Sequence, residues 1–176
     1  MATLNILQRD KDRKSEDFHK ELYRLHYCRI FNTCLRIIGN SPDAEETMHD
    51  VFLKLFDNID KLKDEKAFYS WSRSISIRMS IDKIRKKKNI FEQIENLSIA
   101  EEEPEEEIEL SVEAIKHELN SLPDGYRIIL NMRLFEECEF EEIAKALKIK
   151  ESTVRSQYVR GRKKLAQLLK SKINNQ

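Results

Sequence analysis

The sequence predicts an all-α protein of two small helical domains joined by an acidic linker, the C-terminal one built on a helix-turn-helix. Three observations predict it. The 176 residues include only three glycines and three prolines, while Leu, Ile, Lys and Glu abound, so tight turns are scarce and helix formers dominate. Apolar residues recur at three- and four-residue spacing up to residue 88 and again from residue 114. Between these stretches the period fails, and Glu101-Glu102-Glu103-Pro104-Glu105-Glu106-Glu107 sets six acids around a proline, a block that repels itself and buries no core. The expected domains therefore span residues 15–90 and 113–172, with residues 91–112 as a flexible linker. Each domain is close to the lower size limit for an independent core.

The first helix is marked by Phe18, Leu22, Leu25, Ile30, Phe31, Leu35 and Ile38, and Gly39-Asn40-Ser41-Pro42 ends it. Ser41 or Asp43 then starts a second helix whose stripe is Ala44, Met48, Val51, Phe52, Leu55, Phe56 and Ile59. Its opposite face carries Glu46, Asp50, Leu53 and Asp57, which leaves Leu53 apolar among acids. A third helix over residues 67–88 has two stripes, Phe68, Trp71, Ile75 and Met79 on one and Ile77, Ile81 and Ile84 on the other, so it packs on both sides. It ends in Arg85-Lys86-Lys87-Lys88, four positive charges where the helix dipole favours them. Past the linker come Ala114, Ile115, Leu119 and Leu122, a Pro123-Asp124-Gly125 break, then Ile128, Ile129, Met132 and Leu134.

A formal net charge of zero conceals segregation. Residues 1–90 carry 19 Lys and Arg against 14 Asp and Glu, residues 91–118 carry 1 against 11, and residues 119–176 carry 12 against 7. Both ends can meet a polyanion, because binding follows the local field. No stretch is long and apolar enough to span a membrane and the first residues lack a secretory core, so a cytoplasmic protein without membrane insertion is expected. Cys28, Cys34 and Cys138 lack metal-site pairing and are expected as buried small hydrophobes. His19, His26, Cys28 and Cys34 share one helix and do not close a tetrahedral site. No catalytic constellation, metal or cofactor is expected.

The most specific signal lies at residues 140–165. In Phe140-Glu141-Glu142-Ile143-Ala144-Lys145-Ala146-Leu147, Ile143 and Leu147 face a core and Ala144 lets a second helix cross closely. Lys148-Ile149-Lys150 makes the turn, with Lys148 at the left-handed position that usually holds glycine. The helix after it buries Val154, Tyr158, Gly161, Leu165 and Leu168, and turns Ser152, Ser156, Val159, Arg160 and Lys163 outward, with Arg155 and Arg162 on a flank. Arginine makes paired hydrogen bonds to guanine, serine reaches bases or phosphates, and Lys and Arg neutralise the backbone, as a recognition helix requires.

Taken in order, these motifs resemble an extracytoplasmic-function (ECF) sigma factor of bacterial RNA polymerase, over nearly everything from Phe18 to Leu169. Residues 43–55, Asp-Ala-Glu-Glu-Thr-Met-His-Asp-Val-Phe-Leu-Lys-Leu, are similar to the polymerase-binding helix of that family. Phe68-Tyr69-Ser70-Trp71 through Asp82-Lys83-Ile84-Arg85-Lys86-Lys87-Lys88 resembles its promoter-melting helix. Leu122-Pro123-Asp124-Gly125-Tyr126-Arg127, Glu142-Ile143-Ala144, Thr153-Val154-Arg155-Ser156 and Arg160-Gly161-Arg162 resemble its reader of the minus-thirty-five element. His49 stands where the family usually has glutamine, and Arg78 where asparagine is common.

The resemblance implies partners and a division of labour. Glu46, His49, Asp50, Leu53 and Asp57 would dock on core RNA polymerase, chiefly on the β′ clamp, with β the other large subunit contacted. Trp71, Arg73, Arg78, Arg85, Lys86, Lys87 and Lys88 would lie along the melting minus-ten element, and a loop near residues 58–66 would accept a flipped base. Ser152, Arg155, Ser156, Val159, Arg160, Arg162 and Lys163 would meet the minus-thirty-five element. The linker would thread the RNA exit path, and an anti-sigma protein would hold the factor inactive. The competing expectation is a helix-turn-helix regulator whose first domain binds a ligand or dimerises; a second basic helix in that first domain argues against it.

Overall fold

The computed structural model describes residues 15–62, 64–87 and 112–173. The expected linker falls outside these residues, Val112 excepted, as do Lys88 and residues 1–14. Among the described residues the protein is all-α, with seven α-helices and two single 3₁₀ turns. The chain divides into two compact units, Met1–Lys83 and Ile84–Gln176.

In the first unit, helix α1 (Glu16–Ile38) begins at Ser15, whose hydroxyl accepts from the Phe18 amide at 3.2 Å, with Glu16 and Asp17 favourable in the first turn. It ends at Gly39, which takes the left-handed φ of 86° and returns its N–H to the Leu35 carbonyl. Helix α2 (Ser41–Asn58) starts at Ser41, one of the two residues expected to start it, and is capped by Asn40, whose side-chain carbonyl accepts from the Asp43 amide at 3.0 Å. Pro42 fits inside the first turn, where its missing N–H costs nothing. Two 3₁₀ turns, Ile59–Lys61 and Glu65–Ala67, then lead into α3 (Phe68–Lys87), whose last four residues, from Ile84, are counted with the second unit.

Helices α1 and α2 pack on each other, and Phe18, Leu22, Ile37, Phe52, Leu55, Ile59 and Phe68 are the largest fully buried side chains of the first unit among the described residues. Each contributes about 1.5–3 kcal/mol of burial. Helix α3 buries the expected Phe68, Ile75, Ile77, Ile81 and Ile84, and also Ser72, Ser76 and Ser80. These serines stand four residues apart, and Ser76 donates to the Ser72 carbonyl at 2.8 Å, which lets a hydroxyl occupy a core position. Cys34 is buried, but Cys28 is exposed, contrary to expectation, because it lies on the outer face of α1 between the exposed Tyr27 and Arg29.

In the second unit α4 (Val112–Ser121) leads to α5 (Asp124–Leu134), which is buried from Gly125 to Met132 and forms the centre. The buried Arg127 is neutralised by Asp124 at 2.7 Å. Leu134, expected in the core, is 44% exposed, and Leu130 takes the buried place. Helices α6 (Phe140–Leu147) and α7 (Glu151–Ile173) complete the unit, with α7 packed on α4, α5 and α6. Its buried line is Val154, Gln157, Gly161, Leu165 and Leu169, so Gln157 and Leu169 lie deeper than the expected Tyr158 and Leu168. A Cβ at Gly161 would stand 3.1 Å from Leu130 Cδ1 and 3.2 Å from Tyr126 Cβ, so this glycine sets the close approach of α7 to α5.

Candidate DNA-binding and docking surfaces

The turn that presents α7 is closed by Lys148, at φ 55° and ψ 40°, with the Ile149 amide bonded to the Ala144 carbonyl at 3.1 Å. Lys148 thus holds the left-handed position assigned to it from sequence, without glycine's freedom. Helix α6 is fixed at its start by the Glu139 amide, which donates to the Glu142 carboxylate at 2.8 Å.

On α7, Ser152, Arg155, Ser156, Val159 and Arg162 are exposed and Arg160 and Lys163 half-buried, so the expected row is brought together on one side of a single helix. Val159, 59% exposed, offers an apolar surface of the kind that meets a thymine methyl. Arg155 is held at its base: Nε and Nη2 both donate to Glu151 Oε1, at 2.9 and 2.5 Å. Its guanidinium lies 4.8 Å from the centroid of Phe140, and that of Arg133 lies 5.1 Å from the same ring. Arg133 is anchored to Glu139 Oε1 at 2.8 Å and to the Cys138 carbonyl at 3.1 Å. Tyr158 meets Phe140 edge-on, and Arg162 stands over Tyr158.

The first unit carries a groove of about 690 Å³ lined by the end of α2, the 3₁₀ turns and the first half of α3. Leu62, Ala67, Trp71 and Ile75 supply its apolar surface, while Lys54, Lys61 and Arg78 add cationic head groups and Asn58, Asp64 and Ser74 add neutral or acidic ones. The Asn58 amide is engaged on both sides, accepting from Lys61 Nζ at 2.7 Å and donating to the Lys54 carbonyl at 2.9 Å. Trp71 and Arg78 therefore share one site. Arg73 does not: at about 100° per residue it lies roughly 200° around α3 from Trp71. Arg85 is half-buried and Lys86 exposed; the Lys87 side chain and Lys88 lie outside the described residues.

On the outer face of α2, Glu46, His49, Asp50, Leu53 and Asp57 are all exposed, Leu53 at 62%. Glu46 is bonded to Lys83 of α3 at 2.6 Å, which holds the Lys83 ammonium above its ordinary range. His49 stacks on Tyr23 of α1, whose hydroxyl stands 3.4 Å from Nε2. Lys54, Lys61, Tyr23, Arg133, Phe140 and Glu151 were not picked out from sequence. Glu151/Arg155 and the Lys54–Asn58–Lys61 bonds carried a local signal, their three- and four-residue spacing; the ring contacts of Tyr23, Arg133 and Phe140 arise from tertiary packing.

Residues 22–90 match the sigma-70 region 2 family model and residues 112–165 the sigma-70 region 4 model. The chain belongs to the sigma-70 family of RNA polymerase sigma factors, of the extracytoplasmic-function type, and acts in promoter recognition at transcription initiation. It is similar to the ECF RNA polymerase sigma factor SigW of Bacillus subtilis, at 27% identity over 170 residues, 88% of this chain and 90% of that protein. It is 30% identical over 134 residues to RNA polymerase sigma factor SigZ of the same organism, covering 75% of this chain and 76% of that one. Among solved structures it shares the fold of sigma factor RpoE in complex with the anti-sigma factor NepR from Bartonella quintana. The TM-score is 0.56 at 20% identity, over 89% of this chain and 98% of that one.

Proposed function

We propose that the two units divide the work, residues 15–90 docking on core polymerase and holding the minus-ten element, and residues 113–172 reading the minus-thirty-five element across an acidic linker at 91–112. The observation that carries this reading is the single exposed row on α7, Ser152, Arg155, Ser156 and Val159, flanked by Arg160, Arg162 and Lys163, which joins base-reading groups to phosphate-neutralising ones.

In the first unit the groove suits an extruded base. Trp71 offers a stacking surface, and Lys54, Lys61 and Arg78 supply positive charge for the strand that carries the base. Arg85, Lys86, Lys87 and Lys88 supply further positive charge for the phosphates of the strand. Asp50 and Leu53, with His49, Asp57 and Glu46, form the docking face for polymerase β′, Leu53 being the apolar anchor within an acidic rim. The protein works in the cytoplasm, carries out no catalysis of its own, and is held in reserve by an anti-sigma protein.

Binding of purified core polymerase tests the docking face. Leu53→Ala and Asp50→Ala should each weaken the complex, and linear promoter templates should yield transcripts only when core and this protein are both present. Full-affinity binding by both variants removes α2 from the docking role. Absence of transcripts with core present favours a regulator that reads an operator alone.

A further inference from the structure

We propose that Phe140 is a positioning residue for DNA reading: its ring seats the Arg155 guanidinium so that, with Glu151 clamping one edge, the other edge is presented to a guanine. The proposal rests on the reading that α7 enters the major groove, and adds to it the residue that aims the arginine and the base that it reads.

A guanidinium has two edges that can make paired hydrogen bonds. In Arg155 the Nε/Nη2 edge is taken, since both atoms donate to Glu151 Oε1. What remains is the end formed by Nη1 and the second Nη2 hydrogen, two parallel donors that match O6 and N7 of guanine. An exposed arginine on a helix samples many rotamers, and ordering it on DNA costs entropy. Phe140 reduces that cost, because the Arg155 guanidinium is already 4.8 Å from the ring centroid.

The seat itself is fixed. Phe140 opens α6 beside the Glu139–Glu142 cap, Tyr158 abuts it at 5.2 Å between centroids, and the anchored Arg133 shares its ring. Arg155 is therefore held from its own helix by Glu151 and from α6 by Phe140. An arginine fixed from two elements has one approach to the base edge, and that makes its contact selective.

The test is selection of random-sequence duplex DNA by the full-length protein bound to core polymerase, followed by sequencing. The wild-type protein should enrich a motif containing a guanine whose preference disappears in Arg155→Ala. Phe140→Leu, which keeps an apolar side chain without a ring, should cut the preference at that one position roughly two- to five-fold and leave the other positions unchanged. Phe140→Trp should restore it. A Phe140→Leu profile identical to wild type overturns the proposal, as does a uniform loss at every position that Phe140→Trp fails to restore. Failure of the wild-type protein to enrich any motif instead overturns the groove-reading role of α7, and the proposal with it.

Discussion

Glu151 and Arg155 stand one helical turn apart on α7, and the carboxylate accepts from both Nε and Nη2 of the guanidinium. The pair is exposed, so it adds little to stability. Its effect is on direction. Replacing Arg155 with alanine should cost about 1–3 kcal/mol of binding to the preferred upstream sequence and relax selection at one base pair. Lys163→Ala should instead weaken binding evenly across sequences and reduce the salt slope by about one. Quantitative duplex binding at several salt concentrations separates the two behaviours.

Lys148 occupies a left-handed backbone position that costs an ordinary side chain about 1 kcal/mol relative to glycine. Lys148→Gly should therefore raise the melting temperature by a few degrees. An unchanged or lower value in a thermal melt speaks against this source of strain.

Gly161 lies where α7 presses on Leu130 and Tyr126. Gly161→Leu should act as a wedge and destabilise the second unit by about 1–3 kcal/mol or more through overpacking. Denaturant titration measures this, with a loss of minus-thirty-five binding expected in parallel.

Glu118 is buried on α4, bonded to Lys172 near the end of α7 and at 2.9 Å to His117. The hydrogen bond from Lys172, then that from His117, holds its carboxyl below the ordinary glutamate range. Because the folded-state value is lowered, the stabilisation is present above the unfolded value of about 4.3 and fades as pH falls through the lower folded one. Glu118→Gln should destabilise the protein by about 1–2 kcal/mol near neutral pH, and the difference from wild type should shrink in acid. Urea melts at several pH values check both the size and the sign.

Trp71 is half-buried in the wall of the α2–α3 groove. Trp71→Ala should remove about 1–3 kcal/mol of base stacking, so promoter complexes form but open poorly. Duplex binding should change little by comparison.

The helices were legible because caps and periodicity are local: Gly39 and Pro123 stop or start helices where the chain says so, and Phe18, Phe52 and Phe68 fall on period. The α7 row was legible for the same reason, since one helix carries it. Burial at helix flanks was not. Gln157 and Ser76 are polar residues whose place is set by how closely the neighbouring helix lies, while Leu134 and Cys28 are apolar or small residues that no neighbour covers. The groove and the Phe140 seat were also hidden. Each joins residues from separate elements, Lys54 with Arg78 and Arg133 with Arg155, and no spacing along the chain records that meeting.

The most direct test of two DNA surfaces with separate duties is thymine reactivity on a linear promoter bound by core polymerase and this protein. Wild type should make the minus-ten thymines reactive. Arg155→Ala should lower occupancy while the complexes that do form open fully, and Trp71→Ala should occupy the promoter with little reactivity. Equal loss of occupancy and opening in both variants, or no reactive thymines with wild type, would contradict the account.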